Sequence, residues 1–394
     1  MHLERKKHVA DLFRNRFGSE AQLWARAPGR VDLMGSHTDY NLGYVLTLPI
    51  SRDTWIAARG NGTHNIQLHA ANLNEDDSFS LDGIEKTSAK KWSNYIRGVA
   101  KVLQSEGLRT DGFDAVIHST VPLESGLSSS AALECATAVV FRQLGGWHMA
   151  AKVMATLCQR AENEFVGVNC GILDQYSSCL GEDECALLLD CRDLSTRTVR
   201  IASGISVVIC NTVSPRKLTG SEYDLRRADC ERGAAILGVN SLRELPIEVL
   251  TARRHELPDQ VAKRCEFIVA ESARADSLAT ALEAGNREKV ACLCAESFAG
   301  ARDLYEICSP NMQAMKDAMQ TAPGVIGGRQ AGAGFGGCMV AFVESQSTDD
   351  FRKAVSDSYY RATGLLPEVY PVKASPGAGI FDAADMATPR QSVP

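Results

Sequence analysis

The stretch "GFDAVIHSTVPLESGLSSSAALECATAVVFRQLGG" (112–146) limits the fold most tightly. Residues 112–122 alternate as a strand does. A glycine–serine turn follows, and a helix opens at the serines. The first turn of a helix has free N–H groups, and its dipole favours anions there. Gly126 lets the backbone approach a ligand, and Ser128, Ser129 and Ser130 add hydroxyls, which makes a phosphate cradle. A serine-capped helix after a turn is the plainer reading, although three serines exceed what one cap needs. No lysine follows the glycine at the Walker spacing.

The chain around this unit is long enough, at 394 residues, for two domains with real cores. Its 45% hydrophobic and 23% charged content is that of an ordinary globular protein. A net charge of −6 without a long basic run argues against nucleic acid or an anionic membrane as partner. No stretch of 18 apolar residues suggests a membrane span. The opening "MHLERKKHVADLFRNRF" has no apolar core of a secretory signal. The 13 cysteines form no CxxC pair and have the wrong spacing for zinc, which predicts buried thiols in a reducing cytoplasm.

Helical spacing is expected over 6–17, 92–107 and 149–165, and strands over 45–49, 54–59, 186–193 and 205–212. From 222 to 320 the sequence is mostly helical. "GGRQAGAGFGGCMVAFVE" (327–344) reads as a glycine turn before a strand, and "EVYPVKASPGAGIF" (368–381) as a closing strand. The last residues, "ADMATPRQSVP", are expected to fray. The fold class is α+β, with a boundary near 200–206 dividing the chain into 1–204 and 205–394.

Two further segments carry chemistry. "GRVDLMGSHTDYNLG" (29–43) sets an arginine, two aspartates, a histidine and a tyrosine among glycines, more polar groups than a core strand is expected to carry. "RAENEFVGVNCGILDQYSS" (160–178) has acids at Glu162, Glu164 and Asp174. A carboxylate with a serine hydroxyl can hold Mg²⁺, and a second carboxylate can take a proton from an attacking hydroxyl. Solvated helix charges are the alternative.

Taken together these segments resemble the galactokinase family of the GHMP kinase superfamily. "APGRVDLMGSHTDYNLGYVLTLPI" (27–50) is similar to the galactokinase signature, whose usual text is close to GRVNLIGEHTDYNxGxVLP. "VPLESGLSSSAALECA" resembles the superfamily's ATP-phosphate loop, and "GGRQAGAGFGGC" its third, glycine-rich motif. "WSNYIRG", "VNCGILDQYSS", "LLLDCRDL" and "SEYDLRRADCE" add support, and the resemblance runs from about residue 10 to residue 380.

The resemblance implies a two-domain fold with the active site in the interdomain cleft. It implies transfer of the ATP γ-phosphate to the anomeric hydroxyl of galactose. By position, Arg30 and Asp174 are the catalytic pair, Asp174 lying beside the 1-hydroxyl as base or electrostatic partner. Gly126, Leu127, Ser128, Ser129 and Ser130 match the triphosphate loop, Gly334 the third motif, and Trp92 an aromatic residue near the base. Ser130 and Glu162 match the Mg²⁺ ligands. His37, Asp39, Gly171 and Tyr223 match sugar contacts, Asp39 and Tyr223 reading the hydroxyls that define the galacto configuration. Expected partners are a small sugar and ATP, with the protein a monomer or weak homodimer.

Ser36 departs from the signature, which has glutamate there to accept a hydrogen bond from the sugar's 6-hydroxyl. A charge-assisted bond contributes about 1.5–3 kcal/mol and a neutral one about 1 kcal/mol. The exchange also removes a charge that would repel a C6 carboxylate by about 4 kcal/mol at 4 Å and an effective dielectric of 20. Galacturonate or arabinose therefore enter as alternative substrates, and a catalytically silent sugar-and-ATP-binding regulator as an alternative class. Glu124 in the phosphate loop, expected to point away from ATP, and Ala331 and Ala333 in the third motif are lesser departures.

Overall fold

A computed structural model describes residues 2–123, 125–214 and 220–381. Glu124 and the C-terminal tail expected to fray lie outside the described residues. The strands of the described residues divide between two sheets. The first is eight-stranded and contains β1 (Leu23–Met34), β2 (Tyr44–Gly60), β3 (Asn65–Ala70), β4 (Glu75–Ser80), β5 (Phe113–Ser119), β6 (Cys185–Asp190) and β7 (Ser195–Arg200). The second is four-stranded, in the order β11-β8-β10-β9, built from β8 (Ile205–Asn211), β9 (Val325–Gln330), β10 (Cys338–Glu344) and β11 (Glu368–Val372). The short β12 (Gly379–Ile380) returns to pair with β1. The closing stretch 368–381 is thus two strands in different sheets, with Ala374 between them bridged to Ile50.

The expected α+β mix is present, and the switch between sheets falls between β7 and β8. Several details differ. The strands expected at 45–49 and 54–59 are one strand, β2, whose first half pairs with β6 and second half with β5. The glycine turn at 331–337 joins two antiparallel strands, β9 and β10, rather than preceding one. The helix expected over 149–165 is α-helical over Ala151–Arg160 and closes in a π-turn, Ala161–Val166.

The largest difference is β1, which carries half of the polar segment 29–43 through the core. Its residues alternate. Val31 and Leu33 enter an apolar cluster with Val207, Ile209, Val340 and Phe342 of the second sheet, so both halves of the chain share this core. Arg30 and Asp32, of opposite parity, face the other way and are buried as well. A strand buried on both faces, apolar on one and polar on the other, keeps a period of two. The polar groups therefore do not exclude a strand; they mark the face of β1 that carries chemistry.

Helices Ser93–Ser105, Ser129–Gly145, Ala151–Arg160 and Leu173–Leu180 cover the first sheet around Val139, Phe141 and Phe113. Burying one such side chain contributes about 1.5–3 kcal/mol. On the second sheet Val208, Cys210, Met339 and Ala341 pack against Met312, Met315 and Phe351 of the helices Pro310–Gln320 and Thr348–Thr363. All 13 cysteines are free thiols and most are buried. No helix among the described residues is long and apolar enough to cross a membrane.

Candidate active site

The phosphate-loop segment folds as its text implies. After β5 the chain turns through Gly126, whose φ of 83° suits glycine. Ser128, also left-handed at φ 61°, stands at the N-cap of the helix Ser129–Gly145. Its hydroxyl makes no cap bond. It donates instead to Asp174 Oδ2 at 2.5 Å. The helix thus opens with uncapped N–H groups beside a carboxylate held by its own capping residue. Leu127 is a core residue, and its carbonyl accepts from the Arg30 backbone N–H at 3.1 Å. Ser129 and Ser130 are half-buried at the helix start.

Arg30 reaches into this corner from β1. Its Nε and Nη2 donate to Asp174 Oδ1 at 2.8 and 2.5 Å, and its Nη1 donates to the Gly126 carbonyl at 2.6 Å. Asp174 lies in the first turn of the helix Leu173–Leu180. One guanidinium therefore ties the acid to the phosphate loop.

Glu162, in the π-turn, is buried beside them. Its Oε2 accepts from Gln175 Nε2 at 2.7 Å, and Ser130 is a hydrogen-bond partner. Burial, and then the Asp174 charge, push its carboxyl up to about 7. Gln175 Nε2 also donates to Glu134 Oε2 at 2.9 Å. Glu134 is fully buried, and burial followed by the Glu162 charge raises it well above the carboxylate range. Glu162 and Glu134 thus share one amide donor, with the Ser130 hydroxyl beside Glu162. A carboxylate oxygen beside a serine hydroxyl is a hard-oxygen pair of the kind that fits Mg²⁺.

Asp39 is buried against Gly171, where a Cβ would overlap its carboxylate. Burial, then Asp174, raise Asp39 to about 6. His37 is packed between rings, with Tyr305 at 5.0 Å and Tyr223 at 5.2 Å between centroids. Its Nε2 lies 2.9 Å from the Ala333 carbonyl, which can only accept, so Nε2 carries the proton and donates. His37 Nδ1 then accepts from the Tyr40 hydroxyl at 2.8 Å. His37 thus fastens the sugar signature to the third glycine motif.

Other expected residues stand at the edges. The Trp92 indole N–H donates to Glu75 at 2.8 Å. Gly334 is left-handed at φ 79° and packs on Ile307, where a Cβ would clash. Ser36 lies deeper than its text suggests. Its hydroxyl donates to Asp32 Oδ2 at 2.6 Å and accepts from Arg329 Nη2 at 2.9 Å. Gln175, Asp32, Arg329 and Glu271 were not singled out from sequence. Gln175 and Arg329 sit inside quoted motifs, next to Asp174 and to the glycine turn, but their partners are distant in the chain.

This two-sheet fold, with a serine-rich helix start hydrogen-bonded to an Arg–Asp pair, is that of the GHMP kinase class. Family models agree: the GHMP kinases N terminal domain matches residues 94–182, the galactokinase galactose-binding signature 11–60, and the GHMP kinases C terminal model 278–361. A galactokinase from Roseiflexus sp. (strain RS-1) is 40% identical over 376 residues, which are 94% of this chain and 96% of that protein. A crystal structure of Lactococcus lactis galactokinase complexed with galactose superposes with a TM-score of 0.90 at 34% identity, covering 94% of this chain and 98% of that one. A mevalonate kinase structure shares the fold, with a TM-score of 0.63 at 17% identity and coverage of 90% and 99%. The chain belongs to the galactokinase family.

Proposed function

We infer that the protein transfers the γ-phosphate of ATP to the anomeric hydroxyl of D-galactose, giving galactose 1-phosphate and ADP. The observation that carries the reading is the Arg30–Asp174 pair tied to the phosphate loop, with Nε and Nη2 on one oxygen and Nη1 on the Gly126 carbonyl. Phosphoryl transfer needs mainly positioning and charge stabilisation.

Asp174 accepts a hydrogen bond from the sugar's 1-hydroxyl and takes its proton as the bond to phosphorus forms. Arg30 orients that carboxylate, and its positive charge offsets negative charge on the phosphoryl oxygens. Gly126 to Ser130 receive the phosphates on backbone N–H groups, with Gly334 on the opposite wall and Trp92 beside the base. Asp39, with Gly171 leaving room for it, and Tyr223 bind the ring hydroxyls, and His37 fixes the turn between them. Ser130 and Glu162 would hold Mg²⁺, which when bound neutralises phosphate charge. Every residue comes from one chain, so a monomer or weak dimer is competent. The division at 204/205 follows the change of sheet, and thirteen free thiols suit the cytoplasm.

Identity to galactokinases, with the polar groups of the cluster in place, favours this reading over a galacturonate or arabinose kinase and over a silent regulator. The test is ADP release against galactose, galacturonate, arabinose, glucose and N-acetylgalactosamine, with and without Mg²⁺. Galactose-dependent, metal-dependent release is expected. Release with none of the sugars would end the reading, and faster release with galacturonate would replace its substrate.

A further inference from the structure

Four side chains close a ring beside the phosphate loop. Ser130 and Glu134 stand one turn apart on the helix Ser129–Gly145 and so share one of its faces. Glu162, in the π-turn Ala161–Val166, has Ser130 as a hydrogen-bond partner. Gln175, next to Asp174 on the helix Leu173–Leu180, completes the ring. Its Nε2 donates to Glu162 Oε2 at 2.7 Å and to Glu134 Oε2 at 2.9 Å. Three separate segments therefore meet in one set of bonds, and Gln175, Glu134 and Glu162 are all buried. The Cys170 thiol lies 3.3 Å from Glu162 Oε2 and 3.2 Å from Asn163 Oδ1. A thiol is a weak donor, so Gln175 gives Glu162 Oε2 its strong bond.

The bridge uses the whole donor capacity of the amide. Both hydrogens of Nε2 go to carboxyl oxygens, which fixes the amide's orientation, since its oxygen turned that way would face acceptors. Gln175 Oε1 and Glu134 Oε1 are left buried without a hydrogen-bond partner among the described residues. An orphaned buried acceptor is destabilising. Apolar side chains at 134 and 175 would fill the same space without that loss, so stability alone does not account for the pair. Glu134 takes no part in the transfer described above. It provides a fixed end: rooted one turn beyond Ser130, it holds Gln175, and Gln175 holds Glu162. The Glu162 carboxyl is thereby set against the phosphate helix twice, directly at Ser130 and through the amide at Glu134.

We propose that Gln175, anchored on Glu134, is the positioning residue that holds Glu162 in register with Ser130 for binding a divalent cation. The proposal rests on the reading of Ser130 and Glu162 as the Mg²⁺ pair. A carboxyl group bound at one oxygen by a buried neighbour has a single orientation to offer at the other. Outer partners of this kind change metal affinity by about 10–100-fold when they are removed. Gln175 also follows Asp174 directly, so one helix turn sets the spacing between the acid and the metal-binding carboxyl.

The test measures ADP affinity by calorimetry with Mg²⁺ and with a chelator, together with thermal unfolding. It compares wild type, Glu162→Ala, Gln175→Met and the double variant Gln175→Met/Glu134→Leu. The ratio of the two affinities reports the metal site without turnover. Gln175→Met is similar in length but has no donor, and it should lower that ratio about tenfold. Its ADP affinity in chelator should stay near that of wild type, and its Tm should fall because Glu134 loses its donor. The double variant has apolar groups at both positions, so it should regain most of the Tm while the ratio stays low. A ratio that recovers together with the Tm would show a merely structural role and overturn the proposal. An unchanged ratio in Gln175→Met beside a lowered one in Glu162→Ala would do the same. Should Gln175→Met not fold, the double variant decides, and a wild-type ratio there sinks the proposal. An unchanged ratio in Glu162→Ala would instead strike Glu162 as a metal ligand, and the proposal with it.

Discussion

Arg30 binds one oxygen of Asp174 through two of its nitrogens, while Ser128 holds the other oxygen. The acid of the site is therefore gripped at both oxygens before any substrate arrives, one grip coming from β1 and the other from the phosphate loop. A hydroxyl brought to Asp174 would find a carboxylate whose orientation is already fixed, and such positioning lowers a barrier.

Asp174→Asn keeps the shape and removes both the charge and the proton acceptor. Turnover should fall by about 10²–10⁴-fold, the range typical of general acid–base groups. ADP binding should remain measurable by calorimetry, because the phosphates are received by backbone N–H groups of the helix start, which the substitution leaves in place. Turnover near wild type would remove Asp174 from the chemistry.

Ser128→Ala tests the second grip. The hydroxyl donates to a charged acceptor, and such bonds contribute about 1.5–3 kcal/mol. If that interaction orients Asp174 for reaction, kcat should drop by about 10–100-fold with little change in KM for galactose. A rise in KM for ATP alone would mean that Ser128 serves the phosphates and not the acid.

Gly171→Ala reads the sugar pocket. The new methyl would overlap the Asp39 carboxylate and force it aside. A displacement of about 1 Å in such a site costs about 10²-fold in rate. The galactose KM should rise strongly while nucleotide binding and Tm stay near wild type. Unchanged galactose kinetics would place Asp39 outside the pocket.

Much of the site was legible because its motifs are local. The strand–turn–helix at 112–145 needs only residues close in sequence, so the helix start at Ser129 was readable. The signature 29–43 was legible as a ligand segment but misread as strand-free, because its polar residues were counted without their parity against Val31 and Leu33. Ser128 read as a phosphate donor, since nothing local ties it to Asp174, 46 residues away. The Ser36 network was beyond reach for the same reason. Arg329 and Glu271 meet it from 293 and 235 positions on, and only the packing of the second sheet and its helix against β1 brings them together. Pairing of that kind leaves no periodicity in the text.

Glu162→Ala should raise the Mg²⁺ concentration for half-maximal activity by at least about tenfold, because a neutral methyl cannot replace a carboxylate ligand. A metal titration at saturating ATP and galactose checks it. An unchanged titration would exclude Glu162 as a ligand.

The buried Asp39 carboxyl predicts a link between pH, stability and sugar binding. Its carboxyl sits at about 6 in the folded protein, raised from an ordinary 3.8 by burial and by Asp174. An acid with a raised pKa favours the folded state when protonated. That contribution is fully present below pH 3.8, and it is lost as pH rises through about 6. At pH 7.5 the ionised group thus costs about 3 kcal/mol relative to its protonated form. Asp39→Asn removes that cost and should stabilise the unliganded protein at pH 7.5. The gain should shrink toward zero as pH falls below about 4. The same change should cripple galactose binding, because the amide nitrogen cannot accept a hydroxyl proton. In wild type, sugar hydroxyls donating to the ionised carboxylate lower its pKa, so galactose affinity should weaken as pH falls through about 6. Calorimetric binding in buffers of different ionisation enthalpy near that pH should record proton release. Proton-neutral binding, together with an Asn variant no more stable than wild type at pH 7.5, would show that Asp39 is already ionised well below that pH and carries no such cost.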